Sequence, residues 1–252
     1  MQAGVSMGLL DFQTAMGRLV RAPDGGDPLR SLHLDERERA SLAALKQSSG
    51  YQFTVGVQRS WCVGRATNAG YLTLSILDPE VRSRVLDEWT NSGGGTSSFF
   101  AAETEAFLDF IAQRLPDPSH ELTVCRLEQA TLRANEGAST FTQRDPALVD
   151  APECMLRRGR HAGVVMFYGE PDRILNALVN HERLLPVSDA AVVTMLFGPG
   201  LEGLCRPASQ LEIALLARVG SGVELSVLMR EGWRLEEIKA MLRAGFVEYA
   251  EG

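Results

Sequence analysis

Residues 161–169 read HAGVVMFYG, and this stretch decides the fold class because it interrupts a long succession of helical patterns. It is short, rich in valine and aromatic side chains, and ends in glycine, which favours a β-strand over a helix of this length. Residues 190–198, AAVVTMLFG, repeat the pattern, and residues 171–186 between them have helical spacing. The C-terminal part of the chain is therefore predicted to contain a β-sheet.

The residues that follow predict a small unit of strands and helices. Pro199 and Gly200 form a turn, and the chain returns as a short strand over residues 201–206, which makes a hairpin. Three leucine-rich helical patterns and the closing strand FVEYA lie within residues 208–250. A hairpin, three helices and a closing strand are typical of a winged-helix-like unit.

Upstream of the first strand the patterns are helical, and several carry start signals. Asp35 with Glu38 three residues later predicts a capping box. Asp78 can cap a helix that has Pro79 at its first position, and Ser6 is a candidate cap for the first helix. Further helical patterns cover residues 99–115 and 120–134. These residues predict a helical bundle.

The stretch EGASTFTQRDPALVDAPE, residues 136–153, has no sustained period and holds two prolines. Such a segment is typical of a domain boundary. We therefore expect an α+β protein with a helical domain over residues 1–145 and a winged-helix-like domain over residues 146–252.

Composition indicates a protein that folds and does not favour nucleic acid. Hydrophobic residues make up 45% of the chain and charged residues 23%, the balance of a globular protein. The net charge of -7 disfavours a general phosphate-binding surface. No apolar run approaches membrane-spanning length, and the N-terminus has no basic start, so we expect a cytoplasmic protein.

Residues that could carry chemistry are few and scattered. The four cysteines stand far apart without a C-x-x-C pair, and no two of the four histidines have metal-ligand spacing. Cys62 lies in QRSWCVGRATNAGYLTLS, residues 58–75, where Arg59 and Arg65 could favour a thiolate but no histidine is near. We expect no metal site in this chain.

The helix predicted within residues 234–245 has three possible uses. It could read DNA, as recognition helices of winged-helix regulators do, although Glu236 and Glu237 oppose phosphate binding. It could simply present a solvated face. It could also form a groove, through Ile238 and Leu242, beside the edge strand LEGLCR, so that an extended peptide adds a strand there.

A family resemblance is carried by three stretches: SWCVGRATNAGYLTLS (60–75), the block that runs from TSSFFAAETEAF to NEGASTF (96–141), and RPASQLEIALL (206–216). Together they resemble the partner subunits of multinuclear non-heme iron-dependent oxidases, which modify ribosomally synthesised peptides (RiPPs). The resemblance covers most of the chain. It is greatest to the partners of 3-thiaglutamate biosynthesis and weaker to those of methanobactin biosynthesis.

The resemblance implies a helical domain that docks on the oxidase and a second domain similar to a RiPP recognition element, which holds the precursor's leader peptide. In such elements the leader pairs with the third strand and packs on the third helix, here residues 201–206 and 234–244. The implied peptide-binding residues are Leu201, Leu204, Cys205, Arg206, Ile238, Lys239 and Leu242.

The same resemblance implies an accessory subunit and not an enzyme. The complex would act on a cysteine at the precursor's C-terminus and remove its β-carbon with iron and oxygen, the iron being held by the oxidase and no cofactor by this chain. Trp61 and Arg65 are assigned to the oxidase interface, and Cys62 to structure. A plain core helix is the alternative for this segment, and a DNA-binding regulator with a helical sensor domain is the alternative function.

Overall fold

The computed structural model describes residues 7–21, 31–95, 100–141, 153–184, 186–187, 192–220 and 222–250. The chain is a mixed α+β protein. It divides into two compact units, Met1–Arg114 and Leu115–Gly252. Each unit has its own elements and is described separately.

The regular elements in the described residues of the N-terminal unit are all helices. Its elements are α1 (Met7–Arg21), α2 (Glu36–Lys46), α3 (Ser49–Ala69), α4 (Tyr71–Ile76), α5 (Pro79–Asn91) and α6 (Phe100–Ala112). This agrees with the helical patterns of the sequence.

Capping side chains set the starts of these helices. Asp35 accepts from the backbone N–H of Glu38 at 2.7 Å, and the Glu38 carboxylate accepts from the N–H of Asp35 at 2.8 Å, which is the predicted capping box. Asp78 caps α5, with Pro79 at its first position. Both predictions are confirmed, whereas Ser6 lies outside the described residues.

Two groups of side chains hold this unit together. Leu19 and Tyr51 are buried against each other in one group, where the Tyr51 hydroxyl donates to the Leu19 carbonyl at 2.8 Å. In the other, Trp89 packs against Phe107 and Phe110, with ring centroids 5.3 and 5.2 Å away. Aromatic packing therefore joins α5 to α6.

The C-terminal unit combines helices with short strands. Its elements are α7 (His120–Thr140), β1 (Met155–Arg158), β2 (Gly163–Tyr168), α8 (Pro171–Val179), β3 (Val192–Phe197), β4 (Cys205–Pro207), α9 (Gln210–Arg218), β5 (Val223–Glu224), α10 (Leu225–Arg230), α11 (Leu235–Arg243) and β6 (Val247–Tyr249). The predicted strands at β2, β3 and β6 are confirmed.

The strands form two small antiparallel sheets. One has the order β2-β3-β4 and the other β5-β1-β6. β1 was not predicted, because a four-residue strand that ends in two arginines has little local signal and depends on pairing with β5 and β6. The predicted third strand is also shorter than expected. It begins only at Cys205, because Gly203 and Leu204 have positive φ values of 74° and 65° and turn the chain.

Helix α7 belongs to the C-terminal unit in this structure. Ala130 and Ala134 on the helix pack against Val165 and Phe167 of β2, and Gly163 of β2 lies against Ala130. The division expected after residue 145 grouped this helix with the N-terminal helices. Small residues on one face of α7 allow it to approach the sheet closely. The irregular segment that placed the expected boundary, residues 136–153, carries no information about this contact.

A single core lies beneath the three last helices. Its fully buried members include Leu156 from β1, Leu196 from β3, Leu215 from α9, Leu228 from α10 and Ile238 from α11. Both sheets therefore contribute to the packing of these helices.

Candidate partner-binding and peptide-binding sites

Helix α3 has one buried face and one exposed apolar face. Phe53, Val57 and Trp61 follow one another at helical spacing and are 74%, 53% and 64% exposed. We call these three residues the α3 stripe. Gly50 and Gly64 continue its line at either end, and a side chain at either glycine would meet only open space. The stripe is thus an apolar ridge with free room at both ends.

The charged side chains of α3 do not interrupt the stripe. Arg59 and Arg65 are the only charged residues of the helix. Arg59 binds Asp87 at 2.5 Å and donates to the Asn91 side chain at 2.8 Å. Arg65 forms an ion pair with Glu103, whose side chain is only 7% exposed. Both arginines are therefore held within the unit, and the exposed face carries no charge.

The two residues assigned to the oxidase interface, Trp61 and Arg65, differ in exposure. Trp61 is exposed on the stripe and available for contact. Arg65 is mostly buried and neutralises a buried carboxylate, which is a structural role. The sequence alone could not separate them, because Glu103 lies far along the chain.

Cys62 lies on the opposite side of α3 from Phe53 and is buried. Its thiol donates to the Gly94 carbonyl at 3.1 Å, and burial raises the pKa of Cys62 while the hydroxyl of Thr90, 3.7 Å from the sulfur, opposes that shift. The cavity beside it holds about 10 Å³, no more than a single water needs. These features suit a structural thiol better than a nucleophile.

The second tryptophan of this unit is much less accessible than Trp61. Trp89, which is 9% exposed, is packed between Phe107 and Phe110. Trp89 therefore offers almost no apolar surface to a docking partner. The side chains of Phe99 and Phe100, the other large aromatic groups that could extend a docking face, lie outside the described residues.

In the C-terminal unit, the outer edge of β4 offers few hydrogen-bonding groups. The Ala208 N–H donates to the Thr194 carbonyl at 2.8 Å, so the even-numbered residues of this segment bond to β3 and the odd-numbered ones face away. Pro207 has no N–H, and its carbonyl accepts from Arg206 Nη1 at 3.1 Å. Within β4, only the backbone of Cys205 is left to pair with an added strand.

Arg206 is held in place beside this edge. Its guanidinium binds the Glu212 carboxylate with two hydrogen bonds, one of 3.0 Å from Nη1, and lies 5.3 Å from the centre of the Phe246 ring. The bonds from Arg206 lower the pKa of Glu212 to about 2, with help from Ser209 and against the effect of burial. This pair ties β4 to the start of α9.

The other residues assigned to peptide binding are largely part of the core. Ile238 is fully buried and Leu242 nearly so, and both pack in the core beneath the helices. Leu201 packs partly against that core, and Leu204 packs against the residues between α7 and the sheet. Ile238 and Leu242 therefore present no surface to a peptide in this structure.

Lys239 lies beside these buried positions. Its side chain is 17% exposed, and its ammonium group is 4.0 Å from the Glu236 carboxylate. Cys205 is half-buried, and burial raises the pKa of its thiol. Of the residues assigned to peptide binding, Cys205 and Arg206 lie on the sheet edge.

A groove of about 210 Å³ lies next to Arg206, between α9 and α11. It is lined by Ser209, Leu211, Glu212, Leu215, Glu237, Ala240 and Met241. None of these seven residues was assigned to peptide binding from the sequence, because the helix positions with the strongest apolar spacing, Ile238 and Leu242, point into the core. Leu211, which is exposed at the start of α9, was the available signal.

A wider cleft of about 690 Å³ lies beside α8. Its lining includes the half-buried Tyr168 and the buried His120, with Arg173 and Arg183 among carboxylates. Because both signs of charge are present around an open cleft, the lining does not select one class of ligand.

The described residues contain no group of three or more histidine, cysteine, aspartate or glutamate side chains placed to hold a metal ion. Among the described helices, none combines the length and the apolar character that a membrane crossing requires. Comparison of the sequence with protein-family models and with curated proteins gives no match.

Proposed function

We propose that this chain is a non-catalytic partner subunit that binds the leader of a ribosomal precursor peptide and forms a complex with a multinuclear non-heme iron-dependent oxidase. The α3 stripe is the observation that carries the proposal. A chain of net charge -7 that keeps Phe53, Val57 and Trp61 exposed on an uncharged helix face has a surface suited to a protein partner.

Burial of the stripe would contribute favourable energy to docking. Burial of a large apolar side chain contributes about 1.5–3 kcal/mol, and aromatic residues dominate many interfaces. Gly50 and Gly64 have open space beside them, so a helix of the partner can approach closely at either end. The residue types carrying this docking are apolar, and we expect it to depend little on salt.

Peptide binding is assigned to the C-terminal unit. The order α9, β5, α10, α11 and β6, with β1 completing the sheet, supports a winged-helix-like unit similar to a RiPP recognition element. The leader would pair with the edge at Cys205 and place an apolar side chain in the groove between α9 and α11. Leu211 and Ala240 are the exposed apolar groups that would receive it.

The division of labour follows from these assignments. The oxidase holds the iron and, with oxygen, removes the β-carbon of the cysteine at the precursor's C-terminus, as in 3-thiaglutamate biosynthesis. This chain recruits and orients the peptide in the cytoplasm. The buried Cys62 thiol, with its raised pKa, takes no part in that chemistry.

Fluorescence anisotropy with a labelled precursor encoded beside the gene tests the proposal. The chain, alone and mixed with the oxidase, is titrated with the full precursor and with a precursor that lacks its leader. We expect saturable binding that needs the leader, and co-elution of the chain with the oxidase in gel filtration. Failure of both the chain and the mixture to bind the precursor would reject the proposal.

The same assay distinguishes the proposed function from the alternative of a DNA-binding regulator. A labelled DNA duplex replaces the peptide at moderate salt, where a DNA-binding regulator retains affinity. Because α11 presents Glu236 and Glu237 on its outer side, we expect no binding. Sequence-dependent binding of the duplex would favour the regulator.

A further inference from the structure

A row of small residues runs beside the α3 stripe on the exposed face of the same helix. Its members, which we call the small row, are Gly56, Ser60 and Gly64, the last of which also lies at the end of the stripe. All three are exposed, and a side chain at either glycine would meet only open space. Residues four apart form continuous lines along a helix, so the stripe and the small row are neighbouring lines. The surface of α3 therefore has a raised apolar ridge beside a shallow groove.

The ridge and the groove of α3 are complementary in shape. Helices that pack through lines of residues four apart cross at about 50° and place the ridge of one helix in the groove of the other. If a two-fold axis runs along and between the two lines, this contact is made twice, because each copy supplies one ridge and one groove. Each stripe residue then lies against a small-row residue of the other copy: Phe53 against Gly56, Val57 against Ser60, and Trp61 against Gly64.

Electrostatic attraction does not contribute to such a pairing of two copies. Each copy has a net charge of -7, so two copies repel each other at long range. Arg59 and Arg65 pair with carboxylates of their own unit, and neither the stripe nor the small row contains a charged residue. The available attraction is therefore the burial of apolar surface, and added salt should strengthen it by screening the repulsion between the copies.

The area of the stripe limits the strength of this pairing. Phe53 and Trp61 are 74% and 64% exposed, and a large aromatic side chain buries about 150–250 Å² when it leaves water. Two copies would thus bury roughly 400–700 Å² through these four side chains, whereas a stable interface buries about 1,200–2,000 Å². The pairing is therefore weak and reversible, so that a dilute chain is a monomer and a concentrated chain is a dimer.

We propose that a second copy of this chain binds the α3 stripe, so that the free chain forms a symmetric dimer in which the stripe of each copy lies in the small row of the other. The dimer covers the surface assigned to the oxidase, and the oxidase and the second copy therefore compete for it. The dimer itself is independent of the proposed function, whereas the competition rests on it. Self-association covers an exposed apolar face until the oxidase binds there.

Sedimentation velocity of the full chain, from about 1 μM to about 1 mM, tests the dimer. We expect the sedimentation coefficient to rise from that of a monomer to that of a dimer. Gly56→Gln fills the groove and should weaken the dimer by about tenfold or more. The same variant should melt no lower than wild type, because glycine is a poor helix former. Ala43→Gln, at an exposed position of α2, is the matched control and should dimerise like wild type.

Trp61→Ala distinguishes a fitted interface from non-specific apolar association. It should also weaken the dimer by about tenfold or more, since it removes an aromatic anchor. Non-specific association would be weakened by Trp61→Ala but not by Gly56→Gln. A wild-type chain that stays monomeric over the whole range, or a dimer that Gly56→Gln leaves intact, would overturn the inference.

Addition of the oxidase to the concentrated chain tests the competition. We expect the dimer to be replaced by a complex that contains one copy of this chain. A complex that retains two copies, and loses one of them in Gly56→Gln, would contradict the competition. Lack of any complex with the oxidase would reject the competition together with the docking part of the proposed function, whereas the sedimentation of the free chain decides the dimer by itself.

Discussion

Helices α3 and α11 present opposite surfaces to solvent. Helix α3 turns Arg59 and Arg65 toward carboxylates of its own unit and leaves Phe53 and Trp61 exposed. Helix α11 buries Ile238 in the core and exposes Glu236 and Arg243 to solvent. The second pattern is that of an ordinary surface helix. The first leaves large apolar side chains exposed, which suits a binding surface, so substitutions on α3 and α11 should have different consequences.

The largest effect should come from the buried face of α11. Ile238→Ala removes a fully buried side chain from the core, so we expect a loss of about 2–5 kcal/mol in unfolding free energy. Chemical denaturation followed by circular dichroism measures it. Glu236→Ala, at an exposed position of the same helix, is the control and should change stability much less. A stable Ile238→Ala variant that had lost only peptide binding would restore Ile238 to the peptide site.

A smaller loss of stability is expected inside α3. Arg65→Met leaves the buried Glu103 without its cation, which should cost about 3 kcal/mol. Arg59→Met breaks a more exposed pair with Asp87 and should cost less than about 1 kcal/mol. Thermal melts of both variants give the comparison. Equal stability of the two, with weaker oxidase binding by Arg65→Met, would return Arg65 to the interface.

A substitution on the exposed face of α3 should weaken oxidase binding more than it lowers stability. Trp61→Ala should change the unfolding free energy by about 0.5 kcal/mol or less. The same substitution should weaken oxidase binding by about 2 kcal/mol, as the loss of an interface anchor does. Isothermal titration with the oxidase measures the loss of affinity. Val179→Ala, an exposed apolar residue of the C-terminal unit, is the control. A larger loss of stability than of affinity would make Trp61 a packing residue.

The smallest effect concerns the ion pair beside the peptide groove. Because the folded pKa of Glu212 is about 2, below its ordinary value of 4.5, the pair stabilises the fold above about pH 4.5 and this contribution is lost as the pH falls through about 2. Glu212→Gln should cost about 1 kcal/mol near neutral pH. The difference in melting temperature from wild type should be constant above about pH 4.5 and shrink as the pH falls from about 4.5 toward 2. A constant difference would mean that the pair contributes little.

Local signals predicted most of the elements in this fold. The caps at Asp35 and Asp78 are local hydrogen bonds, so they could be read from spacing. The strands at 163–168 and 192–197 have valine and aromatic runs that suit a sheet. In contrast, β1 depends on pairing with residues nearly a hundred positions away. Sequence periodicity does not report such pairing.

The candidate sites were harder to predict, for a related reason. Spacing located the apolar face of α11 but did not say that it faced the core, and it did not single out Phe53 or Val57 on α3. Ile238 has the stronger apolar pattern and is buried, whereas Phe53 and Val57 lie in a helix of mixed composition and are exposed. Burial depends on which elements pack together, and only the structure supplies that information.

Hydroxyl-radical footprinting with mass spectrometry tests the docking role of α3 most directly. In the free chain, Trp61 should be oxidised readily and Trp89 very little, because they are 64% and 9% exposed. In the complex with the oxidase, we predict that Trp61 and Phe53 become protected while Trp89 is unchanged. Equal oxidation of Trp61 in the free chain and in a complex verified by gel filtration would contradict the docking role of the α3 stripe.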